Sequence, residues 1–375
     1  MVPILDLSAQ TALLRPEIER AFAEILTSGR FILGSQGELL EQEVAQVCQS
    51  RYGIAVASGT DALHLILRAC GLKPGDEVIT SSFSFIATAE AISYCGATPV
   101  FADIDPRTFN LAPQSVAQRI TKRTRAILPV HLFGQAADMD PLLELARDHH
   151  LFVIEDCAQA IGTLYRGQAV GSLGLGGCLS FYPTKNLGAF GDGGMVVTSS
   201  LGLNHRLKQL RTHGSKTRYL HEEVGYTSRL DELQAAVLRI KLPHLARWNA
   251  ARAQVAQFYN QSFADLPVLT PYCAPFSNHT YHQYTLRTAH RDQVVAELKA
   301  LGIGTMVYYP VPIHLQKAYR ALGYQPGDLP HTERVAQEVF SLPIFPEMTH
   351  EQQEQVAQAV RKVLWQQPVD PAFSL

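Results

Sequence analysis

A chain of 375 residues, 46% hydrophobic and 18% charged with a formal net charge of −2, has the composition of an ordinary globular protein with one large domain or two. The near-neutral balance offers no basic excess for nucleic acid. No apolar run reaches the length of a membrane span, and MVPILDLSAQ lacks a basic region followed by an apolar stretch, so a cytoplasmic location is expected. Cys48, Cys70, Cys95, Cys157, Cys178 and Cys273 form no CxxC pair and read as buried thiols in a reducing compartment rather than as a zinc site.

In chain order, Pro16 is placed at the start of a first helix whose stripe of Ile18, Phe22 and Ile25 ends at Gly29. After an apolar loop at 31–34, a second helix is expected over about 38–49, with Leu39, Leu40, Val44 and Val47 on one face. From Ile54 short apolar runs alternate with helix-length periodic segments: IAVA (54–57), EVIT (77–80), TPVFAD (98–103), RAILPV (125–130), LFVIED (151–156), CLSFY (178–182) and MVVT (195–198). The intervening helices include 61–70 and 139–149, the latter with Asp140 as N-cap and Pro141 at the first helical position. This alternation predicts an α/β fold with a mainly parallel seven-stranded sheet between helices, and ligands at the carboxyl ends of its strands.

Helices follow over 203–212, 229–240 and 244–262, with Pro243 interrupting the last two. We therefore expect a large domain over 1–243 and a small C-terminal α/β domain over 244–375. The latter holds an alternating strand at 281–287, a helix at 292–301, a β-like MVYY at 306–309 and two more helices. The last of these opens on the capping box Thr349-x-x-Gln352.

Four places could carry chemistry. Lys185, in SFYPTKNLG between two apolar runs, can lose hydration and offer an amine for Schiff-base chemistry; it could equally be a surface lysine beside a glycine turn. Ser58-Gly59-Thr60 opens a helix and could cradle a phosphate, or simply cap that helix through Thr60 or Asp61. Asp156 ends a buried strand and needs a cationic or hydrogen-bonding partner. A protonated pyridine nitrogen would serve, with Gln159 within reach of another edge of the same ring; helix capping is the alternative, and metal-ligand spacings are absent. Phe83 and Phe85 follow a strand, where one could stack on a flat cofactor or both could fill the core.

The segments SGTDALHL, SFSFIATAEAI, VFADIDP, PVHLFGQAADMD, VIEDCAQAIG, SFYPTKNLGAFGDGGM, GYTSRLDELQAA and YYPVPIHLQ, in this order, resemble the DegT- or StrS-like sugar aminotransferases over about residues 3–362. The resemblance implies a fold-type I pyridoxal 5'-phosphate enzyme, a homodimer with sites at the subunit interface, which transfers an amino group from glutamate or glutamine to a nucleotide-linked keto sugar. Carried over by position, Lys185 is the Schiff-base lysine, Asp156 the pyridinium partner, Gln159 the contact to the phenolic oxygen and Phe85 the stacking ring. Gly59, Thr60 and Ser180 hold the phosphate, and Tyr309 and His314 lie near the sugar nucleotide. Thr227 stands where relatives carry an asparagine that reaches the partner's phosphate, and Thr184 where many carry glycine.

Around the lysine, SFYPTKNLGAFGDGG resembles the group acting at C3 of the sugar, which implies a dTDP-3-keto-6-deoxyhexose; a C4 enzyme acting on a UDP- or dTDP-4-keto sugar is the alternative. Relatives that dehydrate their sugars replace the lysine by histidine, which Lys185 opposes. A cysteine desulfurase or amino-acid lyase would need a reactive loop cysteine or a carboxylate clamp, neither of which is evident. A pyridoxal-binding regulator without turnover is the reading from another class, disfavoured because no DNA-binding module is visible.

Overall fold

The computed structural model describes residues 1–217 and 219–365; residues 366–375 of the expected C-terminal domain lie outside them. Each of the seven apolar runs forms a strand of one sheet: β1 (Tyr52–Val56), β2 (Glu77–Ser81), β3 (Thr98–Ala102), β4 (Thr124–Leu128), β5 (Phe152–Asp156), β6 (Gly176–Ser180) and β7 (Gly194–Thr198), in the order β1-β7-β6-β5-β4-β2-β3. The pairs β3/β2, β2/β4, β4/β5 and β5/β6 are parallel, whereas β7 runs antiparallel to both of its neighbours, β6 and β1. All carboxyl ends except that of β7 therefore open on one edge.

The runs read as continuously apolar because the sheet is buried on both faces. Successive residues point to opposite sides. Ile79, Ile127, Val153, Leu179 and Val197 pack into one core layer, and their neighbours Val78, Ala126, Ile154, Cys178 and Val196 into the other. Helices α1 (Ser8–Ser28), α2 (Ser35–Val47), α3 (Gly59–Ala69), α4 (Ala87–Tyr94), α5 (Pro113–Arg119), α6 (Met139–Asp148), α7 (Leu201–Leu210) and α8 (Glu232–Lys241) surround it. The first layer is closed by Leu40 of α2, Leu142 of α6 and Leu238 of α8, the second by Leu63 of α3 and Leu207 of α7.

After a 3₁₀ turn at Leu242–His244 come α9 (Leu245–Ser262), β8 (Tyr284–Arg287), α10 (Arg291–Ala300), α11 (Pro330–Glu338), β9 (Val339–Leu342) and α12 (His350–Leu364). The antiparallel pair β8/β9 is packed into a separate core with Tyr259, Leu298, Val356 and Val360. Val2 joins this core and bridges Ile303, so the chain start lies with the C-terminal elements. The capping box at Thr349 and Gln352 forms in full. Among the described residues no helix is long and apolar enough to cross a membrane.

Several local expectations are corrected. The first helix starts at Ser8 and carries Pro16 inside it; Pro16 and Ala12, whose carbonyl loses its donor, both lie on the exposed face, where water can substitute. In α2, Leu40 and Val44 are buried but Leu39 and Val47 are exposed. Helix α6 starts at Met139 as expected, but its N-cap is Asp138, not Asp140; the Tyr165 hydroxyl donates to Asp138 (2.8 Å) and accepts from the Asp140 N–H (3.0 Å), holding this start. MVYY forms no strand beyond a bridge from Met306 to Ser341. Its tyrosines pack against the cluster of Phe83, and Pro310 and Pro312, which follow, lack a donor for any ladder.

The buried Glu232 at the start of α8 ties two elements together. Its carboxylate accepts from the backbone N–H groups of Gly34 (3.0 Å), Gln36 (2.8 Å) and Gly37 (2.9 Å), capping the free donors and positive dipole end of α2 from outside the helix. Glu232→Ala, which strands those donors, is expected to lower unfolding stability by about 3 kcal/mol in a denaturant titration, and Glu232→Gln by less.

Candidate active site

A cavity of about 690 Å³ opens at the edge where the strands end, and the loops after β1, β2, β5 and β6 line it. After β1, Ser58 caps α3 by accepting from the Asp61 N–H at 3.1 Å. Capping thus falls to Ser58, not to Thr60 or Asp61. The N–H groups of Gly59 and Thr60, first in the helix, have no intrahelical partner and lie at the positive end of its dipole. A methyl group on Gly59 would lie 2.7 Å from Cβ of Ser180, so glycine is what lets the helix start meet the end of β6. Two free amides and a hydroxyl at one helix terminus are a site for an anion.

Asp156, last in β5, is only 4% exposed. Its carboxylate accepts from the Ala158 N–H at 3.1 Å and from the Thr88 hydroxyl at 2.8 Å, and Thr88 Oγ1 lies 2.8 Å from Ser84 Oγ. Among the described residues no cation forms an ion pair with it. Burial therefore raises its pKa, against the opposing pull of these two donors and of the Lys185 charge. Lys185 follows β6 in a turn closed by its own N–H to Tyr182 O at 2.9 Å. Burial of the amine lowers its pKa to about 8, with Asp156 opposing. Lys241, from α8, donates to Gly188 O at 2.7 Å and so fixes the far end of the lysine loop.

The phenylalanine pair divides its tasks: Phe83 is fully buried against Phe109, Phe133 and Tyr309, while Phe85 is 58% exposed at the cavity mouth. Gln159 accepts from the Phe133 N–H at 2.7 Å and donates to the Tyr309 hydroxyl at 3.1 Å. Burial keeps that phenol protonated. Thr184 also lines the cavity. A buried carboxylate short of a cation, a lysine with a depressed pKa and a free helix terminus fit the ring nitrogen, aldehyde and phosphate of pyridoxal phosphate.

Two expected residues lie outside this lining, one of them, Thr227, being expected at the partner's site and not at its own. His314 is buried outside the cavity lining, with Nδ1 2.7 Å from Ser82 Oγ and Nε2 3.2 Å from Glu333 Oε1, so both ring nitrogens are engaged within the protein. Thr227 is exposed and also outside that lining, its hydroxyl 2.6 Å from His213 Nε2. Conversely, Thr88, His282 and Tyr308 line the cavity without having been singled out. Thr88 lies one helical turn beyond Phe85, a detectable spacing; a histidine in an alternating strand carries no such signal.

Residues 13–361 match the DegT/DnrJ/EryC1/StrS aminotransferase family, and the chain belongs to it. Among relatives, a "pleiotropic regulatory protein" of Geobacillus stearothermophilus is 49% identical over 96% of this chain and 97% of its own. The dTDP-3-amino-3,4,6-trideoxy-alpha-D-glucose transaminase of Streptomyces venezuelae is 47% identical over 99% and 98%. The crystal structure of S. venezuelae DesV in complex with a ketimine intermediate superposes with a TM-score of 0.95 at 47% identity, covering 98% of this chain and 99% of that one.

Gly59→Ala is expected to weaken binding of pyridoxal phosphate to the apo-protein by at least about tenfold in a fluorescence titration, because the methyl separates the helix start from Ser180. Asp156 has a folded pKa above its ordinary 3.8, so its ionisation destabilises the apo-protein increasingly as pH rises above that value. Asp156→Asn should therefore raise the apo melting temperature at neutral pH, by a margin that closes towards about pH 4, while cofactor stabilises the variant less than the wild type.

Proposed function

We propose that the chain is a pyridoxal phosphate-dependent aminotransferase that moves an amino group from glutamate or glutamine to a nucleotide-linked 3-keto sugar, with a dTDP-3-keto-6-deoxyhexose as acceptor. The observation that carries this reading is the juxtaposition of Lys185, near pKa 8, with the unpaired buried Asp156 and the free amides of Gly59 and Thr60 in one cavity. The transaminase and DesV similarities support the reaction, and the segment from Tyr182 to Asp192 supports the sugar carbon.

When bound, pyridoxal phosphate supplies an aldehyde that condenses with amines and a ring that accepts the electron pair of a broken C–H bond. Lys185 tethers the group and, once released, takes and returns a proton at Nζ, a task suited to a pKa near the working pH. Asp156 would keep the ring nitrogen protonated. Gly59, Thr60 and Ser180 would hold the phosphate, Phe85 would cover the ring, and Gln159, held by Phe133 and Tyr309, would meet the ring oxygen. A groove of about 660 Å³ shares Ser84, Phe85 and Tyr309 with the cavity and runs past Gln316 and Lys317, giving room and one cation for the nucleotide.

The protein acts as a homodimer in the cytoplasm. Phe31, Ile32 and Leu33 form an exposed apolar run suited to a second copy, and Thr227 is presented outside its own cavity. We divide the chain into a large unit over 1–243 and a small unit over 244–375; the separate core of α9, α10, α12, β8 and β9, which Val2 also joins, supports this, although other clusters cross the boundary. The regulatory name of one relative favours a second reading, binding without turnover.

The test is turnover with glutamate and a dTDP-3-keto-6-deoxyhexose beside the 4-keto isomer. Amino sugar from the 3-keto compound alone is expected, and its loss by more than about 10³-fold in Lys185→Ala. Product from the 4-keto isomer alone overturns the regiochemistry, and cofactor binding with no product from either overturns the enzyme reading.

A further inference from the structure

His282 lines the same cavity as Lys185, and nothing above gives it a task. It is 6% exposed, and its backbone N–H donates to Phe133 O at 2.9 Å, which fixes the residue just before β8. Its ring is reached by a relay whose polarity can be derived. Asn249 Nδ2 donates to the carbonyl of Ile161 at 3.1 Å, so Asn249 Oδ1 is left to accept, and it does so from Asn186 Nδ2 at 2.8 Å. Asn186 Nδ2 also donates to the carbonyl of Thr280 at 3.0 Å. Carbonyl oxygens cannot donate, so both amide orientations are set by backbone groups.

Asn186 Oδ1 lies 3.2 Å from His282 Nδ1, and because that oxygen can only accept, Nδ1 must carry the hydrogen. A neutral imidazole has one ring proton, which leaves Nε2 with its lone pair. The ring stays neutral, because burial and the positive charges of Lys185 and Arg252 hold its pKa well below 6.5. Among the described residues the one hydrogen bond of the His282 ring is that at Nδ1, and none reaches Nε2. His282 thus carries an acceptor of fixed polarity in the wall of the cavity that Lys185 also lines, and its ring feels the lysine's charge.

We propose that His282 is a positioning residue for amino-group transfer: no hydrogen bond joins it to Lys185 at rest, but during turnover its Nε2 accepts one from the released Lys185 ε-amino group and so holds that amine between the proton it takes and the proton it returns. His282 itself neither gains nor loses a proton. This rests on the aminotransferase reading, since a permanently tethered lysine would have no need of it.

Two substitutions separate this from a merely structural role. Asparagine can reproduce the Nδ1 donor to Asn186 but places nothing at Nε2; glutamine reaches the Nε2 position and gives up the relay. Positioning predicts that His282→Asn lowers kcat on the order of 100-fold with KM for the sugar nucleotide little changed, while His282→Gln keeps kcat within about tenfold of wild type. The reverse order, or equal activity in both, overturns the proposal. Independently of turnover, long-range ¹⁵N–¹H spectra of histidine-labelled wild-type protein, with the His282 signals assigned from the variant spectra, should show Nδ1 protonated and Nε2 bare from about pH 6 to about pH 8. An Nε2–H tautomer or an imidazolium in that range overturns it whatever the activities of the two variants. Absence of product from the wild type itself would mark failure of the aminotransferase reading instead, which the tautomer measurement distinguishes.

Discussion

The structure turns on one unbalanced charge. Asp156 sits nearly buried at the end of a central strand, where among the described residues two neutral donors, the Ala158 amide and the Thr88 hydroxyl, answer its carboxylate. A buried anion held this way is costly unless a cation approaches. Lys185 supplies part of the field, but its own burial lowers its affinity for a proton, so each group leaves the other incompletely neutralised. A cationic ring beside Asp156 would answer that charge, and so the cavity fits a cofactor better than a structural ion pair.

The neighbouring acid shows what a satisfied carboxylate looks like. Strand alternation turns Glu155 to the opposite face from Asp156. There it is fully buried and accepts from His131 Nε2 (2.9 Å) and from the N–H groups of Gly171 (2.7 Å), Leu173 (2.9 Å) and Gly174 (2.8 Å). His131 Nδ1 accepts from Ala137, and burial pushes the adjacent Cys157 thiol well up. His131, Glu155 and Cys157 are close enough to suggest a metal centre, yet the carboxylate's acceptor capacity is already taken. Consecutive acids thus have opposite roles, one closing a loop on the sheet and one waiting for a ligand.

The reversed strand β7 gives the site its shape. Its first residue, Gly194, packs so closely on Ser58 that no side chain could be accommodated, and this brings the β1 loop against the end of β6. Phosphate cradle and lysine loop are therefore neighbours through the sheet, although more than a hundred residues separate them in sequence. Lys241 and Glu232, both on α8, then pin the lysine loop and the start of α2 from outside.

The seven strands and the strand-end positions of Gly59, Asp156, Ser180 and Lys185 were legible in the sequence, because a two-sided buried sheet forces short apolar runs and its functional residues fall where those runs stop. Residues whose role depends on orientation were not. His314 lies in an apolar stretch of sequence and His282 between Tyr281 and Gln283, and neither setting says which way the ring turns. Only the fold turns the first inward onto Ser82 and Glu333 and sets the second in the cavity wall, its proton placed by two asparagines and the carbonyls of Ile161 and Thr280. Periodicity records which side of an element is dry. Which atom of a ring faces a ligand is decided by hydrogen-bond partners distant in the chain, and these exist only once the tertiary structure has formed.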